Sequence, residues 1–250
     1  MANVIHIKKQ MVHVGQRMYE RGMVAANDGN ISVRLDDDRI LITPSGISKG
    51  FMQPDDIVAT DKDGYPLDRQ KKPSSEIQMH VQIYAGRPDV YAVCHAHPIY
   101  ATAFAVAGLP LDQCVLPEVI IALGGAPIVA YGTPGTKAFY EPVARAMLHN
   151  EALLLQNHGA VSVGDRILTA YHRMETLEHA AHIIFLSRQL GGPHVLEASK
   201  VQELEEQRQK FKLQTRGNCQ TYDESTATDE KEHNRQKIVE EVVKKIKTNQ

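Results

Sequence analysis

Residues 91–100 read "YAVCHAHPIY", an apolar run that carries two histidines separated by one alanine. On a β-strand the side chains alternate, so His95 and His97 share a face with Val93, while Cys94 and Ala96 face the other way. Alternate strand positions lie about 6.5–7 Å apart, close enough for two imidazoles to reach one Zn2+ at about 2.0–2.1 Å. Two histidines on a half-buried strand can equally each bond a neighbour, and two ligands do not make a site. A third candidate stands in "LLLQNHGAV". There His158 falls at a tight strand-end turn where a strongly apolar strand meets Gly159, a residue that permits positive φ and close backbone approach. Asn157, His158 and Gly159 would also suit a plain turn. Three histidines delivered from two strands match an open catalytic zinc site, which takes three protein ligands and leaves room for a substrate.

The stretch "KKPSSEIQMH" adds a carboxylate and two hydroxyls. Ser75 and Gln78 have the spacing of a capping box for the helix that follows, and capping alone would account for the serines. A helix N-terminus with free N–H groups beside Ser74 and Ser75 is also an anion site. Glu76, in the first turn, would face both that site and the metal. A carboxylate beside zinc can serve as a resting ligand and then carry a proton. Asn30, Ser45 and Gly46 fall in two turn signals, "NDGN" and "PSG", that a hairpin would bring to one end. Concave loops of this kind bind phosphate through backbone N–H groups, although each also reads as an ordinary turn. His172, His179 and His182 lie beside Glu175 and Glu178 without His-Glu-x-x-His order, and are expected on a helix surface or in packing.

Positioning these groups requires a sheet. Ile7, Met11, Val14 and Met18 predict a helix over residues 5–21. A β-hairpin is expected at residues 31–43 and a third strand at 57–60. The "DKDG" that follows lacks the acidic spacing of a calcium loop and reads as a turn. A helix at 75–87 and a strand at 89–99 follow. Next come a strand near 127–131 and a helix from 136 to 149. The segment "ALLLQNHGAVSVG" reads as strand, turn, strand, before a long helix capped by Asp165. Hairpin-linked strands mixed with helices predict an α/β (α+β) three-layer sandwich with a central, mainly antiparallel sheet flanked by α-helices.

At 250 residues and 42% hydrophobic content, the chain can bury one substantial core. Its formal net charge of −2 gives no basic footprint for nucleic acid. No run of about 18 apolar residues predicts a membrane span, and the N-terminus lacks a secretory layout. Cys94, Cys114 and Cys219 are scattered, which suggests reduced thiols and a cytoplasmic protein. Composition turns polar after about Lys200. The expected organisation is a catalytic domain at 1–214, a flexible polar linker at 215–234 and an amphipathic helix at 235–250. In that last stretch Ile238, Val239, Val242, Val243 and Ile246 fall on one face.

In order along the chain, "GNIS", "TPSGI", "PSSE", "CHAHP" and "QNHGAV" resemble the class II aldolase/adducin family. The resemblance spans residues 5–200 and implies a zinc site of His95, His97 and His158, with Glu76 as resting ligand and acid/base. It also implies a phosphate pocket of Asn30, Ser45, Gly46, Ser74 and Ser75, and a C4 homotetramer with active sites between subunits. The activity implied is zinc-dependent cleavage of a deoxyketose 1-phosphate, such as L-fuculose 1-phosphate, to dihydroxyacetone phosphate and lactaldehyde. The same scaffold hosts methylthioribulose-1-phosphate dehydratases, sugar-acid phosphate decarboxylases and non-catalytic adducin modules. Glu118 stands near a position where the fuculose branch has tyrosine, and Tyr131 is the nearest phenol. These two are the candidates for the group that handles the C4 oxygen. The tail resembles peptides that deliver enzymes into bacterial microcompartments, so shell proteins are possible partners alongside packing on its own oligomer.

Overall fold

In the computed structural model, which describes residues 2–210 and 217–221, the expected hairpin forms as β1 (Asn30–Arg34) and β2 (Arg39–Ile42), with Ser32 opposite Ile42. β3 (Val58–Asp61) pairs with β2. Beyond β1 lie β4 (Ala92–Ala96), β7 (Gly159–Gly164), β6 (Ala152–Leu155) and β5 (Ile128–Val129). The resulting seven-stranded sheet has the order β3-β2-β1-β4-β7-β6-β5. Only the β5–β6 pair is parallel. β4 and β7, at the centre, are buried along their whole length, which is why both read as continuous apolar runs.

Helices cover both faces. α1 (Ala2–Glu20), α3 (Ile99–Val106) and α6 (Ile167–Gln189) pack Met11, Met18, Phe104 and Met174 against Cys94, Ala96 and Leu154. α2 (Ile77–Gly86) and α5 (Lys137–Met147) bring Val81, Ile83, Phe139 and Val143 to the opposite face, over Val93, Leu153 and Val161. Fully burying each such large side chain stabilises the fold by about 1.5–3 kcal/mol. The alternation of β4 thereby sends Cys94 into the first core and His95 toward α2, as its period of two requires.

Several expectations are corrected. Ser75 does not cap α2: the N-cap is Glu76, whose own side chain makes no capping bond, and the Glu76 N–H donates instead to the Ser74 hydroxyl at 3.3 Å. Backbone bonds from the Ile77 N–H to the Ser74 carbonyl and from the Met79 N–H to the Glu76 carbonyl occupy two of the first-turn donors. Arg166, not Asp165, is the N-cap of α6. α3, α4 (Pro117–Ala122) and α7 (Ala198–Lys210) are helices without a sequence expectation. α7 is polar on most sides and anchors through Val201, which packs on Cys114 and Ile120.

The cysteines are corrected too. Cys94 is a buried free thiol, but Cys114 and Cys219 are joined in a disulfide across 105 residues of sequence. Their Cα atoms are 5.2 Å apart because residues 217–221 return to lie along residues 112–114. The Gln220 N–H donates to the Asp112 carbonyl at 2.6 Å, and the Cys114 N–H donates to that of Gln220 at 3.2 Å. Linear spacing carried no trace of this return. The expected helix at 235–250, with its microcompartment role, lies outside the described residues. Among the described residues no helix is long and apolar enough to cross a membrane.

Candidate active site

His95 sits on β4, fully buried, with Asn30 of β1 directly opposite in the register. Its Nδ1 lies 2.8 Å from the Ala160 carbonyl. A carbonyl can only accept, so Nδ1 carries the hydrogen and the Nε2 lone pair points out of the sheet. His97 follows just after β4. His158 is presented from the turn between β6 and β7, where Asn157 takes the left-handed conformation at φ 56°. Of the two reasons expected for Gly159, close approach is the one that applies: its φ is not positive, and a Cβ there would press into the Ala96 carbonyl and the His97 ring. The two strand ends therefore approach closely enough to bring the imidazoles together.

The ligating atoms of His95, His97 and His158 all lie within 4.8 Å of one another. Nε2 of His95 is 3.3 Å from Nε2 of His97. Glu76, at the start of α2, closes the cluster: its Oε2 is 3.2 Å from His95 Nε2 and its Oε1 is 3.4 Å from His158 Nε2. Oε1 is buried and has no hydrogen-bond partner. A desolvated carboxylate oxygen facing converging ring nitrogens calls for a cation, and three imidazoles with one carboxylate form a donor set that suits a divalent metal of the zinc type.

Electrostatics point the same way. Burial pushes His158 down to about 4 and also lowers His97, which keeps their ring lone pairs free for a ligand role. Burial alone would push the Glu76 carboxyl up. The neighbouring His95 and His158 imidazoles and the Asn30 amide outweigh it and hold the group below the usual carboxylate range. Burial lowers His95, but Glu76, the Ala160 carbonyl and Asp28 together raise it by more; the proton it gains in this way is one that a metal displaces.

Beside the cluster opens a cavity of about 190 Å3 walled by Ser45, Gly46, Ser74, Ser75, Glu76 and His97. The "PSG" and "PSS" loops lie side by side because the Ser74 N–H donates to the Thr43 carbonyl and the Ser45 N–H to that of Lys72. Gly46 adopts φ +77°, with open space where a Cβ would stand. Lys49, absent from the sequence-derived site, lines the same cavity and is buried. Its Nζ donates to the carbonyls of Asn27 at 2.7 Å and Ile47 at 2.9 Å. In the sequence it stands three residues after Gly46 in "TPSGISK", where nothing sets it apart from a surface lysine.

Asn30 also lines the cavity, but its amide is engaged by Glu76 and His80. Glu118 and Tyr131 are exposed and do not line the cavity. The Tyr131 N–H donates to Gln156 Oε1 at 3.1 Å, which places the tyrosine backbone beside the turn that carries His158. Of the α6 histidines, His182 stacks on Tyr100, a packing contact as expected.

Residues 9–185 match the family of Class II Aldolase and Adducin N-terminal domains. A 3-oxo-tetronate 4-phosphate decarboxylase of Haemophilus influenzae is 34% identical over 182 residues, covering 71% of this chain and 86% of its own. A 5-deoxy-D-ribulose 1-phosphate aldolase of Bacillus thuringiensis is 30% identical over 200 residues, covering 79% and 92%. Among solved structures, an L-fuculose 1-phosphate aldolase superposes with a TM-score of 0.75 at 32% identity, covering 83% of this chain and 97% of that one.

Proposed function

Because the chain belongs to the class II aldolase and adducin family and is an enzyme of the lyase class, we propose that it is a metal-dependent aldolase. It cleaves a deoxyketose 1-phosphate, L-fuculose 1-phosphate or a near relative, to dihydroxyacetone phosphate and a short aldehyde such as lactaldehyde. The observation that carries this reading is the placement of Glu76. Its carboxylate touches the histidine cluster on one side and walls the hydroxyl-lined cavity on the other.

In this reading His95, His97 and His158 hold the metal, with Glu76 as fourth ligand at rest. When bound, a divalent cation such as Zn2+ supplies Lewis-acid polarisation of the substrate carbonyl and stabilises the negative charge that develops as the C3–C4 bond breaks. Ser45, Gly46, Ser74, Ser75 and Lys49 bind the phosphate and so orient the sugar carbons toward Glu76. Glu76, ionised at rest, takes up one proton, in balance with the one released from the C4 hydroxyl, and delivers it to C3 of the three-carbon fragment. In the C4 tetramer that the resemblance implies, the exposed Glu118 and Tyr131 are the groups available to handle the C4 oxygen.

A second reading is supported by the Haemophilus influenzae relative: decarboxylation of a 3-oxo sugar-acid phosphate. It needs the same electron sink at the carbonyl and the same proton donor. Product analysis on a panel separates the two. With L-fuculose 1-phosphate and 5-deoxyribulose 1-phosphate, release of dihydroxyacetone phosphate is expected. Carbon dioxide from a 3-oxo-tetronate phosphate, with no aldol cleavage of either ketose, would reject the aldolase reading.

A further inference from the structure

Glu76, His80 and Tyr84 stand four residues apart on one face of α2, while Asn30 and Ser32 alternate on the facing side of β1. Between them runs a buried row of polar groups through an interface that is otherwise apolar. We propose that Tyr84, Ser32, His80 and Asn30 form a one-way hydrogen-bond relay that orients the Glu76 carboxylate, with His80 as its positioning residue. The proposal deepens the reading of Glu76 as the acid/base of the aldolase and rests on it.

The direction of every bond follows from the carboxylate end. An ionised carboxylate only accepts, so Asn30 Nδ2 donates to Glu76 Oε2 at 2.7 Å. That fixes the amide, and Asn30 Oδ1 must accept from His80 Nε2 at 2.5 Å. The His80 ring is neutral, because complete burial pushes it down to about 3. Its Nδ1 therefore has a lone pair and accepts from the Ser32 hydroxyl at 2.7 Å. With its one hydrogen so committed, Ser32 accepts from the Tyr84 hydroxyl, also at 2.7 Å. Every hydroxyl and ring hydrogen in the row points toward Glu76.

The consequence is an asymmetric carboxylate. Oε2 is pinned between Asn30 and His95, whereas Oε1 has no hydrogen-bond partner and faces His158. One oxygen is held and the other is free to receive and deliver a proton. A fully satisfied buried polar row of this kind orders its members. It also commits the Asn30 side chain to Glu76 rather than to phosphate alone.

The relay can be tested without metal or substrate by 15N NMR of the histidine rings in metal-free protein. The His80 signal, assigned by its absence in His80→Gln, is expected to show a protonated Nε2 and an unprotonated Nδ1. An Nδ1–H tautomer, or an exchanging mixture, would overturn the relay. Function provides the second readout. His80→Leu is expected to lower kcat about 10–100-fold and weaken Zn2+ binding about tenfold in chelator competition, with KM within about threefold. His80→Gln, which keeps a donor at the Nε2 position, is expected to stay within about fivefold of the wild type. Equal loss in the Leu and Gln variants, or a loss confined to KM, would overturn the assignment. Should His80→Leu not fold, Ser32→Ala replaces it: Asn30 still fixes the Nε2–H tautomer while Nδ1 loses its donor, so the relay predicts an unchanged tautomer with reduced kcat, and a wild-type kcat would overturn it. A wild type that neither binds Zn2+ nor cleaves any ketose phosphate defeats the functional reading instead, and the tautomer still judges the relay.

Discussion

Lys49 brings a buried positive charge to a cavity that two carboxylates, Asp28 and Glu76, share with His97, Asn30 and the serine hydroxyls. Burial pushes its ammonium down to about 8, and Asp28 pulls it part of the way back. It is therefore charged below about pH 8, where it adds to the attraction for a phosphate dianion, and it loses that charge above. KM for the sugar phosphate should rise above pH 8 while kcat changes less, as steady-state kinetics from pH 7 to 10 would show. Lys49→Met should raise KM about tenfold at pH 7, the scale of one charged hydrogen bond, and remove the alkaline rise. An unchanged KM would place the charge out of reach of the phosphate. Folding stability moves the opposite way. The unfolded chain binds more protons than the native one between pH 8 and the ordinary lysine value, so the Lys49 penalty is present below pH 8 and relieved as pH climbs through that window. Glu76 and the three histidines could be read in the sequence because their residue types are chemically distinctive. Lys49 could not, since one lysine among 28 basic residues reads as surface.

The turn from β6 into β7 shows how backbone approach builds the cluster. Gly159→Ala would force a Cβ against the Ala96 carbonyl and the His97 ring. Overpacking of this kind destabilises by about 1–3 kcal/mol, and here it should also weaken metal binding by separating His158 from His97. Urea unfolding and zinc titration of the same variant check both effects, and a variant with wild-type values in both would remove the close approach from the account. The hairpin, α1, α2 and the β6–β7 pair were legible because periodicity and turn residues agreed in each. α3 was hidden inside one apolar run with β4, where periodicity cannot mark a boundary. The Ser75 cap failed because the helix starts one residue later than the Ser75–Gln78 spacing implied, with Glu76 as its N-cap.

For the molecule as a whole, the three-layer sandwich was readable from hairpin-linked strands alternating with amphipathic helices. The disulfide was not, because only the folded chain brings residues 112–114 and 217–221 together. Cys114→Ser should lower stability by about 2–4 kcal/mol in non-reducing denaturation. Adding a reductant to the wild type should produce the same loss, and identical curves for wild type and variant without reductant would deny the bond any role. The central claim concerns the metal and Glu76 acting together on a phosphorylated ketose. It is tested most directly by following dihydroxyacetone phosphate release from L-fuculose 1-phosphate and 5-deoxyribulose 1-phosphate while metal content is measured on the same preparation, for the wild type and His95→Ala. The account predicts about one divalent metal per chain, activity lost on chelation and regained on adding Zn2+, and neither metal nor activity in the variant. Undiminished cleavage by metal-free protein, or by a folded His95→Ala variant, would contradict it.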